Sequence, residues 1–264
     1  MEAFRDYELF KTKFYSLSNI DLNLYKEKQM KRRITSLVEK YGYTSYCSFL
    51  EAIKKNPELY STFINYLTIN VSEFYRNPNQ WLLFENRILT DIFKDRDLAD
   101  IKIWSSACST GDEPYTIVMI LNKYIPLERI NIIASDIDVD AINKAKAGIY
   151  SYRNMKDLPQ EFLDKHFTML DSDTYQISEK VRKRVTYKQL NLLEDPYPKG
   201  MDIIVCRNVL IYFTEEAKNN IMKGFSESLN KGGVLFIGST EQIMNYQKFD
   251  FKPIETFFYQ KVGD

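Results

Sequence analysis

Little in this 264-residue chain is of the kind most enzymes use to move protons or hold metals. It has one histidine, His166, in a polar, aromatic neighbourhood, so neither a Ser-His-Asp arrangement nor a multi-histidine metal site is available. Cys47, Cys108 and Cys206 are odd in number and widely spaced; they fit neither a disulfide frame nor a zinc site and read as small core residues in a reducing compartment. Nine glycines nowhere form G-x-G-x-x-G, which leaves a pyrophosphate cradle, and with it an NAD-dependent oxidoreductase, poorly supported. Charge of one sign is also missing: 36 basic residues balance 36 acidic ones, so the whole molecule has no electrostatic reason to coat nucleic acid or membrane, and any basic footprint must be local. No long apolar run occurs, and the opening MEAFRDYELFKTKF alternates charged and apolar residues in a way that fits neither a signal peptide nor a span. The expectation is a cytoplasmic protein without direct membrane insertion.

What is present is a globular composition, 44% apolar, with length for one large domain or a catalytic domain plus a small helical one. The apolar period changes near residue 80. Before it, Ile34, Leu37, Val38 and Tyr41 form one helical stripe and Phe63, Ile64 and Leu67 begin another. Pro78 is expected to stop regular structure there. After it, β-rich runs alternate with helical segments: IKIWSSA at 101–107, a helix through Ile117 and Leu121, INIIAS at 130–135, a helix from Val139 to Ala147, MDIIVC at 201–206 and GVLFIGS at 233–239. Strand, helix, strand in repetition predicts an α/β fold with a mostly parallel sheet covered on both faces. The final run, 255–262, follows a polar, broken stretch from Tyr246 to Pro253 and should be a last antiparallel strand. Around Asp171–Asp173 a turn separates two β-prone arms, predicting a small antiparallel hairpin insert at about 160–188 that feeds a sheet strand.

Open α/β sheets bind ligands beyond the carboxyl ends of their strands, and four polar clusters fall there. In WSSACSTGDEPYT, Trp104–Thr116, small residues around Ala107 let the backbone approach a ligand, and Glu113 lies in the first turn of a helix; an ordinary strand-to-helix turn explains the same string. Asp136, ending ASD, can accept hydrogen bonds from both hydroxyls of a ribose, or else Asp136 or Asp138 caps a helix. Asn191 in NLLEDPYP, with Arg207, Asn208 and Tyr212 in CRNVLIYF, puts polar groups where burial demands partners, supplied either by a ligand or by an internal network. The fourth cluster, LTINVSEFYRN, holds Asn70, Ser72, Glu73 and Arg76, whose guanidinium fork suits a carboxylate.

Taken in order, NVSEFYRN, WSSACSTGDEPYT, ASDID, NLLEDPY and CRNVLIYF resemble the chemotaxis receptor methyltransferases, the CheR family, over nearly the whole chain. The resemblance implies an N-terminal helical domain at 1–70 and a Rossmann-like class I methyltransferase domain at 71–264. By that resemblance Asn70, Ser72, Arg76, Ala107, Glu113, Asp136, Asn191, Leu192, Arg207 and Asn208 line an S-adenosylmethionine site, with Arg76 and Tyr212 near the transferred methyl. Ser106, Asp112 and Ser72 depart from the family's usual alanine, glutamate or glutamine, and threonine. The implied reaction is esterification of glutamate side chains on the cytoplasmic coiled coil of methyl-accepting chemotaxis receptors. It also accounts for the missing base: a glutamate, with an ordinary pKa of about 4.3, is already an anion near neutrality.

In LNLYKEKQMKRRITSL, Lys28, Lys31, Arg32 and Arg33 crowd a helix opposite Ile34, Leu37 and Val38. The ordinary explanation is a solvated face; the resemblance implies receptor recognition there. Some family members grip a C-terminal receptor tether with a longer, glycine-containing hairpin loop. The compact LDSDTY of this chain predicts no such binding. Two rivals stay open: methyl transfer to nucleic acid bases, against which the charge balance argues, and a module that senses S-adenosylmethionine without turnover.

Overall fold

A computed structural model describes residues 5–263, so the first four residues of the opening stretch and the last residue lie outside the description. It divides into two units. One runs to Asn70 and adds Tyr212–Asn220; the other takes Val71–Ile211 and Ile221–Asp264.

The first unit is helical: α1 (Tyr7–Ser18), α2 (Glu27–Lys40), α3 (Tyr46–Lys55) and α4 (Pro57–Thr68). Local chemistry sets the boundaries. The Ser45 side chain accepts the Ser48 amide to start α3, and Asn56 accepts those of Glu58 and Leu59 to start α4, with Pro57 at the first helical position, where its missing N–H costs nothing. The core is aromatic: Phe63 meets Phe10, Phe14 and Phe49 edge to face at centroid distances of 6.2, 5.1 and 5.4 Å. Ile34, Leu37 and Val38 are buried as their stripe predicts, but Tyr41 is 41% exposed, because α2 ends at Lys40 and Gly42 (φ +76°) turns the chain away. The later segment joins by strand-like pairing: Tyr25 bridges Phe213, and the Lys26 amide donates to the Tyr212 carbonyl (2.9 Å).

The second unit opens with helix, not strand. Pro78 begins α5 (Pro78–Leu83) instead of ending structure, and a π-helical run continues it through Phe84–Ile92. The helices that follow are α6 (Asp112–Leu121), α7 (Val139–Ala147), α8 (Gln160–His166), α9 (Glu179–Arg182) and, from Ile221 on, the remainder of α10 (Glu215–Ser228), whose start is counted with the first unit. The strands are β1 (Ile103–Ser105), β2 (Ile132–Asp136), β3 (Ile149–Ser151), β4 (Phe167–Met169), β5 (Thr174–Ile177), β6 (Val185–Gln189), β7 (Met201–Cys206), β8 (Leu229–Ile237), β9 (Phe251–Glu255) and β10 (Phe258–Lys261).

Seven of these strands form one sheet in the order β6-β2-β1-β7-β8-β10-β9. The first five are parallel, and β10 is antiparallel to both neighbours. Every residue of β7 is buried, as befits a strand covered on both faces. The polar 246–253 stretch hides an edge strand, β9, which tolerates Pro253 because an edge position need not donate to a ladder. The remaining strands form a small sheet, β3-β5-β4, so the hairpin about Asp171–Asp173 gains a third strand from before it, and β6 belongs to the main sheet. Among the described residues no helix is long and apolar enough to cross a membrane.

Candidate active site

The chain leaves β1 toward β2 and β6, then returns to the other side of β1 as β7, so the strand order reverses between β1 and β7. Such a reversal opens a crevice at the carboxyl ends of the two strands. Beyond β1, the Ser106 amide and hydroxyl both donate to the Val205 carbonyl (2.9 and 3.0 Å), and the Cys108 amide donates to the Ser135 carbonyl (2.9 Å). Half-buried Ala107 lies between these two anchors. The loop then turns through Ser109 (φ +46°) and Gly111 (φ +91°); a Cβ on Gly111 would meet Ala145 Cβ and Tyr187 Oη at 2.8 Å, so only glycine lets α6 start here.

The two acids after β2 divide their work. Asp138 caps α7, its Oδ1 accepting the amides of Asp140 (2.9 Å) and Ala141 (3.2 Å). Asp136 does not cap; its Oδ2 accepts the Ser109 amide (2.7 Å) and its Oδ1 the Asp138 amide (3.0 Å). The Ile137 amide is a third backbone donor to this carboxylate, so of its roughly four acceptor positions about one remains open to a ligand's hydroxyl. Burial pushes the Asp136 carboxyl up to about 6, against the lowering effect of the amide bonds. Asn191, after β6, accepts the Leu193 amide on its side chain (3.0 Å) and donates its own amide to Asp195 (2.7 Å), a tight turn that presents buried Leu192 beside Leu190, whose amide donates to the Asp136 carbonyl (3.0 Å).

Past β7 lies Arg207, its side chain 3% exposed. Its Nη2 contacts the Arg76 carbonyl (2.7 Å), Gln80 Oε1 (2.7 Å) and Asn77 Oδ1 (3.1 Å), and its plane lies over Trp81 and Phe236 at 5.0 and 4.9 Å. Nη1 faces Glu113 Oε2 at 3.8 Å, while Glu113 Oε1 accepts the Ser105 hydroxyl (2.8 Å). Burial lowers the Arg207 pKa to about 10 and raises that of Glu113 to about 7, each partly offset by the other's charge. The internal network weighed from sequence thus exists around Arg207. Arg76, half-buried, donates to the Val71 carbonyl (3.3 Å). Asn208 is held in the left-handed region (φ +60°) with its amide on Glu241 Oε2 (2.9 Å), and that buried carboxylate also accepts the amides of Leu210 and Gly238 (both 2.7 Å).

Ser72, Arg76, Ala107, Glu113, Asp136, Asn191, Leu192, Arg207 and Asn208 all belong to the sheet unit, whereas Asn70 and Tyr212 belong to the helical one. There Asn70 donates to Thr68 Oγ1 (3.1 Å), and Tyr212 lines a hollow of about 290 Å³ with Lys26, Gln29, Met30, Arg32, Arg33 and Ile69. On α2, Lys28 and Arg32 are exposed, Lys31 lies over the Tyr7 ring (5.0 Å), and the half-buried Arg33 donates to the Tyr66 carbonyl (2.5 Å) while covering the Tyr66 ring (4.6 Å). Gln80 and Glu241 are absent from the candidates read in the sequence, yet they hold Arg207 and Asn208. The buried acid in GSTE just past β8 was the available signal for Glu241. His166 is 2% exposed beside Phe162, with burial lowering it to about 4.

This sheet order, with an acid closing the second strand and a glycine turn after the first, is that of an α/β fold whose crevice can take a nucleoside-bearing cofactor. Residues 70–258 match the family model "CheR methyltransferase, SAM binding domain" and residues 5–68 match "CheR methyltransferase, all-alpha domain". The chain is 42% identical over 243 residues to the chemotaxis protein methyltransferase of Listeria monocytogenes, covering 92% of each. It is 40% identical to that of Listeria innocua, again over 92% of each. Against chemotaxis protein methyltransferase 2 of Vibrio cholerae the identity is 37%, over 91% of this chain and 84% of that one. The chain belongs to the CheR methyltransferase family and is a methyltransferase with an S-adenosylmethionine-binding domain.

Proposed function

We propose that this protein methylates glutamate side chains on the cytoplasmic coiled coil of chemotaxis receptors, using S-adenosylmethionine and forming methyl esters. The observation that carries the reading is the buried Asp136 carboxylate closing β2, placed by the Ser109 and Asp138 amides at the crevice beside β1. A glutamate substrate arrives already ionised near neutrality, so the site need supply only binding and orientation.

Bound S-adenosylmethionine supplies a methyl group activated by its sulfonium. The chain's own residues bind, orient and exclude water. Asp136 would accept the sugar hydroxyls, Ala107 and Leu192 would leave room for flat and apolar parts, Glu113 would hold the cationic end, and Ser72, Asn191 and Asn208 would supply polar contacts, with Asn70 of the helical unit a further polar candidate. Arg76 orients the incoming carboxylate and Tyr212 shapes the methyl path. Arg207, whose fork is engaged within the protein, serves by holding Arg76 and Glu113. Orientation of this kind is worth roughly 7–11 kcal/mol in favourable cases. In this reading 1–70 recognises the receptor, with exposed Lys28 and Arg32 meeting its acidic surface, and 71–264 transfers the methyl; the short turn in the small sheet takes no C-terminal tether.

The test is to incubate labelled S-adenosylmethionine with receptor-containing membranes and expose the product to mild alkali. Label released as methanol, and lost with Asp136→Ala, is expected. Alkali-stable label, the mark of an N-methyl or base product, would sink the proposal.

A further inference from the structure

The segment Val71–Asn77 carries Ser72 and Arg76 yet has neither helix nor strand to satisfy its backbone. Tyr75 (φ +56°) and Asn77 (φ +61°) both lie in the left-handed region, a conformation that side-chain-bearing residues keep only when their surroundings impose it. Every backbone group here needs a named partner. On the main-sheet side, the Tyr75 amide donates to Thr116 Oγ1 (3.2 Å) and the Arg76 carbonyl accepts from Arg207 (2.7 Å).

The other side is supplied by the small sheet and the turn after β3. Asn154 brackets the segment as a neighbouring strand would: its side-chain amide donates to the Ser72 carbonyl (3.0 Å) and its backbone carbonyl accepts the Phe74 amide (2.8 Å). The fully buried Phe74 ring stands edge-on to Tyr150 of β3 (4.7 Å, 84°) and Phe167 of β4 (5.2 Å, 89°). Lys156 meets Glu73 at 3.0 Å. The turn itself is fixed, since the Tyr152 amide donates to the Asp173 carbonyl (2.7 Å) in the hairpin turn and Met155 is buried.

We infer that the small antiparallel sheet is a buttress for the Ser72–Arg76 segment, and that Asn154 is a positioning residue for methyl transfer. The inference rests on the reading that Ser72 and Arg76 serve the cofactor site, and it gives the insert a task that requires no receptor contact. Asn154 holds the segment with its side-chain amide on the Ser72 carbonyl and its backbone carbonyl on the Phe74 amide, and its side chain also meets buried Asp112, which in turn meets the Ser72 side chain.

The experiment measures S-adenosylhomocysteine affinity by calorimetry, and hydrogen exchange at the Phe74 amide, for the full chain and for Asn154→Ala. The expected result is about fivefold weaker binding, the size of one lost amide hydrogen bond, with faster exchange at Phe74 and little change in Tm. Asn154→Leu, which keeps the bulk without the donor and places no second carboxylate beside Asp112, should weaken binding as much, and it carries the test if the alanine variant fails to fold. Thr168→Ala, an exposed position on β4, should bind as the parent does. Unchanged affinity and exchange in the Asn154 variants, or an equal loss from Thr168→Ala, overturns the buttress. A parent chain that fails to bind S-adenosylhomocysteine removes the cofactor reading and this inference together, a result distinct from either.

Discussion

Arg207 at the end of β7 and Arg32 on α2 carry the same guanidinium, but the protein surrounds one and leaves the other to solvent. Arg207 rests on the adjoining rings of Trp81 and Phe236, with Nη2 spent on Gln80, Asn77 and the Arg76 carbonyl. Arg32 lies exposed one helical turn from exposed Lys28. A charge so enclosed sets the geometry of the groups that meet it, here the Arg76 carbonyl, Gln80 and Glu113. An exposed charge acts at a distance through its field, which salt screens over about 8–10 Å.

The largest effect should therefore come from Arg207. Arg207→Leu keeps much of the apolar contact with Trp81 and Phe236 but strands Glu113, Gln80 and the Arg76 carbonyl. Breaking a buried pair from one side costs about 3–5 kcal/mol, so chemical denaturation should show a loss of that order, and Arg207→Lys, lacking the fork, should recover only part of it. If Arg32→Leu cost as much, the contrast between the two regions would collapse.

Next in size is a pH effect confined to the enclosed side. Burial raises the carboxyls of Asp136 to about 6 and Glu113 to about 7, so between the unfolded-state value near 4 and those values the folded chain holds more protons than the unfolded one. Stability contributed by these groups falls as pH climbs through that window, because the slope follows protons bound unfolded minus protons bound folded. Ligand affinity should run the other way. Hydroxyls donating to ionised Asp136 favour its anion, so S-adenosylhomocysteine binding should strengthen as pH rises through about 6, by up to about tenfold per pH unit on the acid side. Asp136→Asn should flatten that part of the titration. A profile identical to the parent's would show that another group controls it.

The contrast also explains what the sequence reveals and what it conceals. β7 and α7 are legible to the residue, one as an apolar run and the other as the helical segment from Val139 to Ala147. Periodicity and caps are local signals. The helical run through Phe84–Ile92 and the edge strand β9 are less legible, since Pro78 and Pro253 read as breakers until their places at a helix start and a sheet edge are known. At the site, Asp136 is legible because it ends a strand. The choice between Asp136 and Asp138 as cap is not, because it depends on which side chain reaches the α7 amides. Gln80, Asn154 and Glu241 are concealed for a different reason: each acts on backbone atoms or a side chain that only folding brings near, as Asn154 does on Ser72, 82 residues away.

The smallest effects separate neighbours on α2 and test whether its charge run is one surface or two. Arg33 is tied to the Tyr66 carbonyl and ring, so Arg33→Ala should cost about 1–2 kcal/mol of stability in the helical unit. Arg32→Ala should stay within about 0.5 kcal/mol, as exposed substitutions generally do. Activity should show the opposite order. Reversing Lys28 and Arg32 to glutamate should lower receptor methylation at low ionic strength and erase the parent's decline with added salt, because steering by exposed charge is what salt removes. Arg33→Ala, once corrected for its loss of folded protein, should keep the parent's salt response. If Arg33 rather than Arg32 governed that response, the cation packed on Tyr66 would be the one the receptor meets, and α2 would have to yield its hold on α4 to bind.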